Sequence, residues 1–240
     1  MPNWGTTSAI RSYPRTMASA PEQHLSGDPT DAGPAHTEEM GGDGAVLAEE
    51  WDRADAAGGA GKTVLLVEGA SDQRALEALA RRQSRDLEAE GVAVVAIAGA
   101  TNIARFLDLL GPSGHDVRLG GLCDVMERQA FRTALEQAGL GSELGDTGME
   151  RLGFFVCVRD LEEELIRALG PERMVGLIES QGQLRRFRSF QNQPAQRHKS
   201  IDAQIWRWLG NHKIRYAPLM VEALDLEEVP HPLRAVLSHV

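Results

Sequence analysis

The sequence predicts an α/β protein: a mainly parallel sheet of about four strands with helices on both faces, followed by a small C-terminal helical extension. Three observations predict it. Short runs of apolar, often β-branched residues alternate with helix-period segments from residue 64 to about residue 170. Glycines close most of the helical segments, and strands and helices alternate in the order that builds parallel crossover units. Three of the strands are followed at once, or within two residues, by a carboxylate: Glu68, Asp124 and Asp160.

The elements follow in chain order. Residues 1–60 are rich in Gly, Pro, Ala, Thr and Asp and lack apolar periodicity, so a disordered low-complexity tail is expected, with Met17 or Met40 as alternative starts. Gly58-Gly59-Ala60-Gly61-Lys62-Thr63 resembles a phosphate loop only superficially. The required first glycine would be residue 56, which is Ala, and the segment precedes a strand when it should follow one and open a helix. Val64-Leu65-Leu66-Val67 is the first strand, and the helix after it buries Leu76, Leu79 and Ala80 and is expected to run to residues 88–90, where Gly91 ends it. Residues 92–97 form the second strand. Thr101 caps a short helix with Ile103, Phe106, Leu107 and Leu110 inward, stopped by Gly111-Pro112. Residues 117–123 form the third strand despite Gly120-Gly121, residues 127–138 a helix, and residues 153–158 the fourth strand. Residues 161–169 make a further helix ended by Gly170-Pro171, and residues 172–240 read as short helices. The expected division is therefore a tail over 1–60, a catalytic core over 61–172 and a basic helical extension over 173–240 packed on that core.

Composition narrows the class of function. With 42% hydrophobic and 25% charged residues, and no apolar run near the roughly 20 residues a bilayer span needs, a soluble cytoplasmic chain without a membrane partner is expected. Two cysteines, Cys123 and Cys157, lie near strand ends and read as buried thiols. The net charge of −10 is unevenly spread. Residues 181–215 hold eight basic side chains (Arg185, Arg186, Arg188, Arg197, Lys199, Arg207, Lys213, Arg215) against Asp202 alone. A basic strip beside an acidic core suits a metal site next to a phosphate-backbone track, although a solvated basic face produces the same pattern.

The carboxylates carry the chemistry. In an open α/β sheet, ligands gather at the carboxyl ends of strands, where Glu68, Asp124 and Asp160 would stand and Asp72 and Glu162 follow closely. Carboxylates crowded into one crevice repel unless a cation joins them, and hard oxygen donors suit Mg²⁺ or Mn²⁺. Asp72 and Glu162 also sit at helix starts, where acids are favoured regardless of function. Glu163 and Glu164 extend the acidic run and are expected to be solvated. Phe187, Phe190, Trp206 and Trp208 lie among the arginines. They are expected to pack a helical layer onto the sheet.

Leu66-Val67-Glu68-Gly69-Ala70-Ser71-Asp72, Gly121-Leu122-Cys123-Asp124 and Arg159-Asp160-Leu161-Glu162 together resemble a Toprim domain, a Rossmann-like fold. Within that superfamily they are most similar to the nuclease half of the overcoming-lysogenization-defect (OLD) proteins, called ATP-dependent endonucleases. The resemblance implies two-metal hydrolysis of DNA phosphodiesters with two Mg²⁺ or Mn²⁺ ions. By it, Glu68 is a metal ligand or general base. Asp72, Asp124, Asp160 and Glu162 are metal ligands, and a basic residue stabilises charge on the phosphate. Lys213 is the choice for that residue and Lys199 the runner-up. Arg185, Arg186, Arg188, Lys199, Arg207 and Arg215 would contact DNA, and a homodimer and an ATPase acting in trans are the implied partners. Two departures stand out. The second Asp of the Asp-x-Asp motif is Met126, with Glu127 next to it at a helix start that is expected to point it elsewhere. No ATPase domain fits within the first sixty residues. A Toprim module that binds nucleic acid or an ATPase without efficient cleavage is the alternative. A phosphoacceptor signalling domain is disfavoured because Arg159-Asp160 occupies the place where that plan wants a hydroxyl.

Overall fold

The computed structural model describes residues 62–240, together with residues 52, 53 and 56. The expected tail over residues 1–60 lies almost wholly outside the described residues. Four parallel strands form one sheet in the order β2-β1-β3-β4, with β1 at Thr63–Val67, β2 at Val92–Ala96, β3 at Arg118–Asp124 and β4 at Phe154–Cys157. Helix α1 (Ala70–Arg82) follows β1, α2 (Ile103–Leu110) follows β2, and α3 (Arg128–Gln137) and α4 (Asp146–Arg151) lie between β3 and β4. After β4 come α5 (Leu161–Ser180), α6 (Leu184–Gln191), α7 (Ile201–Leu209), α8 (Lys213–Ala223) and α9 (His231–Ser238).

Period-two alternation sorts the strand side chains onto two buried faces. Leu65, Val67, Val94, Leu122 and Phe155 face the layer of α1 and α5 to α9, whereas Val64, Leu66, Val95, Cys123 and Phe154 face α2, α3 and α4. All five residues of β1 are buried, which explains the continuous apolar run at the centre of the sheet. The C-terminal helices are bound into the first of these cores: α8 packs along α1 and α5, and α9 packs on β3 and β4. Arg82, at the end of α1, ties α8 down by donating Nη1 to the carbonyls of Val221 (2.8 Å) and Leu224.

The strand order has one reversal. From β1 the chain moves out to β2 and then returns to the other side of β1 to form β3. The carboxyl ends of β1 and β3 therefore flank the switch point, the place where open α/β sheets bind ligands.

Several boundaries differ from expectation for local reasons. Helix α1 stops at Arg82, well short of residues 88–90. Ser84 adopts a positive φ of 58°, and its N–H and that of Arg85 return to the carbonyls of Arg81 and Ala80, a closure usually left to glycine. Helix α4 had no counterpart in the sequence reading. Gly170 interrupts α5 at φ 74°, ψ 162°, so Gly170-Pro171 does break the helix, yet a second helical segment continues beyond it.

Candidate active site

Glu68 leaves β1 at the switch point, and its carbonyl accepts from Gly99 N–H (3.0 Å), fixing the loop against β2. One carboxylate oxygen, Oε2, is buried without a hydrogen-bond donor. Burial holds Glu68 above the ordinary carboxylate range, and the charge of Glu127 is the next cause. Glu162 and Asp160 push the same way and Lys213 opposes them. Asp124 closes β3. Burial and then Glu68 raise it to about 7, with Asp160 and Glu162 adding and Lys213 opposing.

Asp72 stands in the first turn of α1. It accepts the Gly69 N–H at Oδ2 (2.9 Å), so it does serve the helix start. Burial also holds it well above its ordinary value, with Glu162, Asp124 and Glu68 contributing in that direction. Asp160 caps α5: Oδ1 accepts from Glu163 N–H (2.8 Å) and Oδ2 from the indole Nε1–H of Trp206 (2.7 Å). Glu162, only 2% exposed, accepts from Lys213 Nζ at Oε2 (2.8 Å), while Oε1 is buried without a donor. The five acids named from the sequence thus share one electrostatic neighbourhood at the sheet rim.

Lys213 is the first residue of α8, and because α8 packs on α1 and α5 the ammonium is delivered to this rim, 3.7 Å from Asp160 Oδ2. Burial alone would lower its pKa. Glu162, Asp160 and Asp124 outweigh that and leave it above the ordinary value. Lys199, by contrast, donates to the Ala195 carbonyl (2.6 Å).

Three residues, Glu127, Glu164 and Trp206, read differently from expectation. Glu127 is half-buried, and its charge is the strongest charged influence on Glu68, so the helix start does not turn it away from the site. Met126 is 83% exposed and presents a thioether to solvent where the Asp-x-Asp pattern wants a carboxylate. Glu164 is not solvated: at 3% exposure it accepts the Val158 N–H (2.9 Å) and an Arg167 N–H, closing the turn from β4 into α5. Trp206 holds Asp160, and the Arg159 guanidinium lies 3.7 Å over its ring. Only the tertiary packing reveals the roles of Glu127 and Trp206, since neither follows from spacing.

The basic residues divide between two places. A cleft of about 740 Å³ opens beside Lys213, lined by Ser71, Arg74, His212 and Arg215; Arg74 was not among the residues singled out in the sequence. Arg215 Nη2 donates to Gln181 Oε1 (2.8 Å). Arg185 and Arg186 border a separate groove with Phe190 and Trp208. Arg188 donates to Gln191 Oε1 (2.9 Å), and Arg207 is exposed. The aromatics pack as expected, with Phe187 fully buried and centroids 5.5 Å from Trp208.

The donor set fits a hard divalent cation by its chemistry: several mutually repelling carboxylates and a buried oxygen on Glu68 without a donor. Among the described residues, however, no three His, Cys, Asp or Glu side chains form a ready-made cage.

Comparison with known proteins agrees with this architecture. Residues 61–119 match the family described as "Overcoming lysogenization defect protein-like, TOPRIM domain". The C-terminal region of the Burkholderia pseudomallei OLD protein superposes with a TM-score of 0.59 at 21% identity, over 74% of this chain and 95% of that one. The corresponding region of the Xanthomonas campestris pv. campestris OLD protein gives 0.60 at 23% identity, over 75% and 91%. No curated protein sequence gives a significant match. The first two strand units are thus similar to the OLD-like Toprim family, and the described chain as a whole shares the fold of these OLD C-terminal regions.

Proposed function

We propose that the domain is a divalent-cation-dependent phosphodiester hydrolase acting on DNA. The observation that carries this reading is the carboxylate rim at the switch point, with Glu68 and Asp124 both held above their ordinary pKa and Glu68 Oε2 buried without a donor. Glu68, Asp72 and Asp124 would hold the cation, and the resemblance adds a second ion on Asp160 and Glu162. When bound, the cation supplies Lewis-acid polarisation and charge neutralisation at the phosphodiester.

The chain's own residues do the rest. Glu68 accepts a proton from the attacking water. Lys213 donates to the phosphate oxygens as charge builds on them. The cleft holding Arg74 and Arg215 takes the strand that leads to the rim, and Arg185, Arg186, Arg188, Lys199 and Arg207 contact backbone phosphates further out. Nicking of supercoiled plasmid in Mn²⁺ tests the proposal. Glu68→Ala is expected to abolish it, and nicking that persists in that variant removes the reading.

Met126 favours a second reading, in which the module binds nucleic acid or a partner ATPase and cleaves weakly. Restoring the acid with Met126→Asp separates the two: a large gain in nicking supports the weakened module, and an unchanged rate supports an already competent site.

A further inference from the structure

We propose that a cavity beside Asp160 receives an unpaired nucleobase, so that the DNA taken at the rim carries an unstacked nucleotide, as a bulge or a single strand does. The inference rests on the reading of the rim as a DNA site and deepens it by naming the class of substrate.

The cavity, of about 380 Å³, lies between α5 and α7 and is lined by Arg159, Ile166, Pro171, Asp202 and Trp206 among others. Small-ligand sites run from about 300 to 1,000 Å³ and combine apolar walls with a few placed polar groups. Trp206 is held in position by its bond from Nε1 to Asp160 Oδ2 (2.7 Å), and the Arg159 guanidinium lies 3.7 Å from the ring centroid. A nucleobase is flat, with two faces that stack and a polar edge. Indole rings and guanidinium planes are the surfaces on which proteins stack unpaired bases. Arg167 and Glu163, also on the wall, pair with each other at 3.2 Å. Arg159 and Asp202 make no ion pair among the described residues, which leaves a donor and an acceptor for the edge of the base.

The cavity and the cleft beside Lys213 each have a residue on the same carboxylate oxygen. Asp160 Oδ2 meets Trp206 of the cavity and, 3.7 Å away, Lys213 of the cleft that also holds Arg74 and Arg215. A strand in the cleft therefore passes the carboxylate that positions the indole, and one of its bases reaches the cavity by leaving the stack. Two exposed apolar side chains point to the same distortion. Strands β3 and β4 pair up to Asp124 and Cys157, and just beyond those ends stand Met126 and Val158, 83% and 66% exposed. An intact duplex offers such side chains little at its phosphate surface. An opened base step offers them an apolar face, and apolar wedges use it in this way.

Fluorescence anisotropy of the full chain with two labelled duplexes of one sequence, one perfect and one carrying a single-nucleotide bulge, tests this with Ca²⁺ present. The bulged duplex is expected to bind about tenfold tighter, equivalent to about 1.4 kcal/mol, a gain that stacking of one base supplies. Ala203→Phe fills the cavity from its wall and is expected to bring the two affinities level while the perfect duplex binds as before. If that variant does not fold by circular dichroism, Arg159→Ala, at an exposed position, decides by the ratio of the two affinities, which should fall severalfold. Equal affinities in the wild type, or a ratio unchanged in the folded variant, overturn the proposal. Equal affinities in a chain that nicks plasmid leave the hydrolase reading standing. A bulge preference that Ala203→Phe removes, in a chain that nicks no plasmid, keeps this inference and removes hydrolysis. Binding to neither duplex removes both.

Discussion

Asp124 ionises in a place where its charge is unwelcome, and the consequence is measurable. Burial and Glu68 raise it to about 7, and Glu68 and Asp72 shift in the same direction. In the unfolded chain these carboxyls titrate near 4. Their contribution to stability is therefore fully present below about pH 4, and for Asp124 it is lost as pH rises through about 7. The urea midpoint of the metal-free chain should fall between pH 5 and pH 8, and Asp124→Asn should flatten part of that fall. Saturating Mn²⁺ should raise the pH 8 midpoint, because the ion stabilises the charged form. A midpoint that climbs over this window would contradict the assignment. Trp206 offers a separate test. Trp206→Phe keeps a ring for Arg159 but removes the donor to Asp160 Oδ2, and should cost about 1–2 kcal/mol in urea unfolding. At this scale Glu68 and Asp124 were legible because a carboxylate ending a buried strand has few structural duties. Glu127 and Trp206 were not, because their reach depends on how α3 and α7 are set against the sheet.

Elements were legible where pattern and punctuation agreed. Strand β1 announced itself as a wholly apolar run, and the breaks at Gly111 and Gly170 fell where the helices end or bend. The overextended α1 shows the converse: Ser84 took the positive-φ position that glycine usually marks, and no local signal distinguishes it. The pair Gly120-Gly121 weakened the case for β3 in the sequence, yet packing demands it. A Cβ on Gly121 would lie 2.2 Å from the Leu66 carbonyl oxygen and 3.1 Å from the Phe154 ring, both parts of the closely packed sheet. Gly121→Ala should cost about 1–3 kcal/mol through overpacking, read by urea unfolding. At Gly170 the space is open, so the constraint lies in the backbone alone. Its φ of 74° and ψ of 162° belong to a region essentially limited to glycine, and Gly170→Ala should lose about 1–3 kcal/mol. If the variant is as stable as the wild type, the kink in α5 is not required for packing α5 against α7 and α8.

For the whole molecule, the charge distribution poses a problem that the fold answers in part. A chain with net charge −10 repels DNA at long range, so the proposed binding would have to come from local basic surface. The strip over 181–215 was visible in the sequence, but its division was not. Lys213 and Arg215 join Arg74 at a cleft beside the carboxylates, while Arg185 and Arg186 border a second groove with Phe190 and Trp208. The distinction predicts different phenotypes. Each phosphate contact to a duplex contributes about 0.9 to the slope of log affinity against log salt. Reversing Arg185 and Arg186 to Glu should therefore weaken binding and lower that slope by about 1.8, with nicking at saturating DNA preserved. Arg74→Ala should lower the slope by about 0.9 and also reduce nicking at saturation, because a strand held loosely beside the rim samples the reactive position less often. Fluorescence anisotropy across a salt series, paired with nicking at saturating plasmid, reads both. An unchanged slope in the double reversal would make α6 a solvated basic face. Equal loss of nicking from both substitutions would mean that the two grooves bind a single continuous strand.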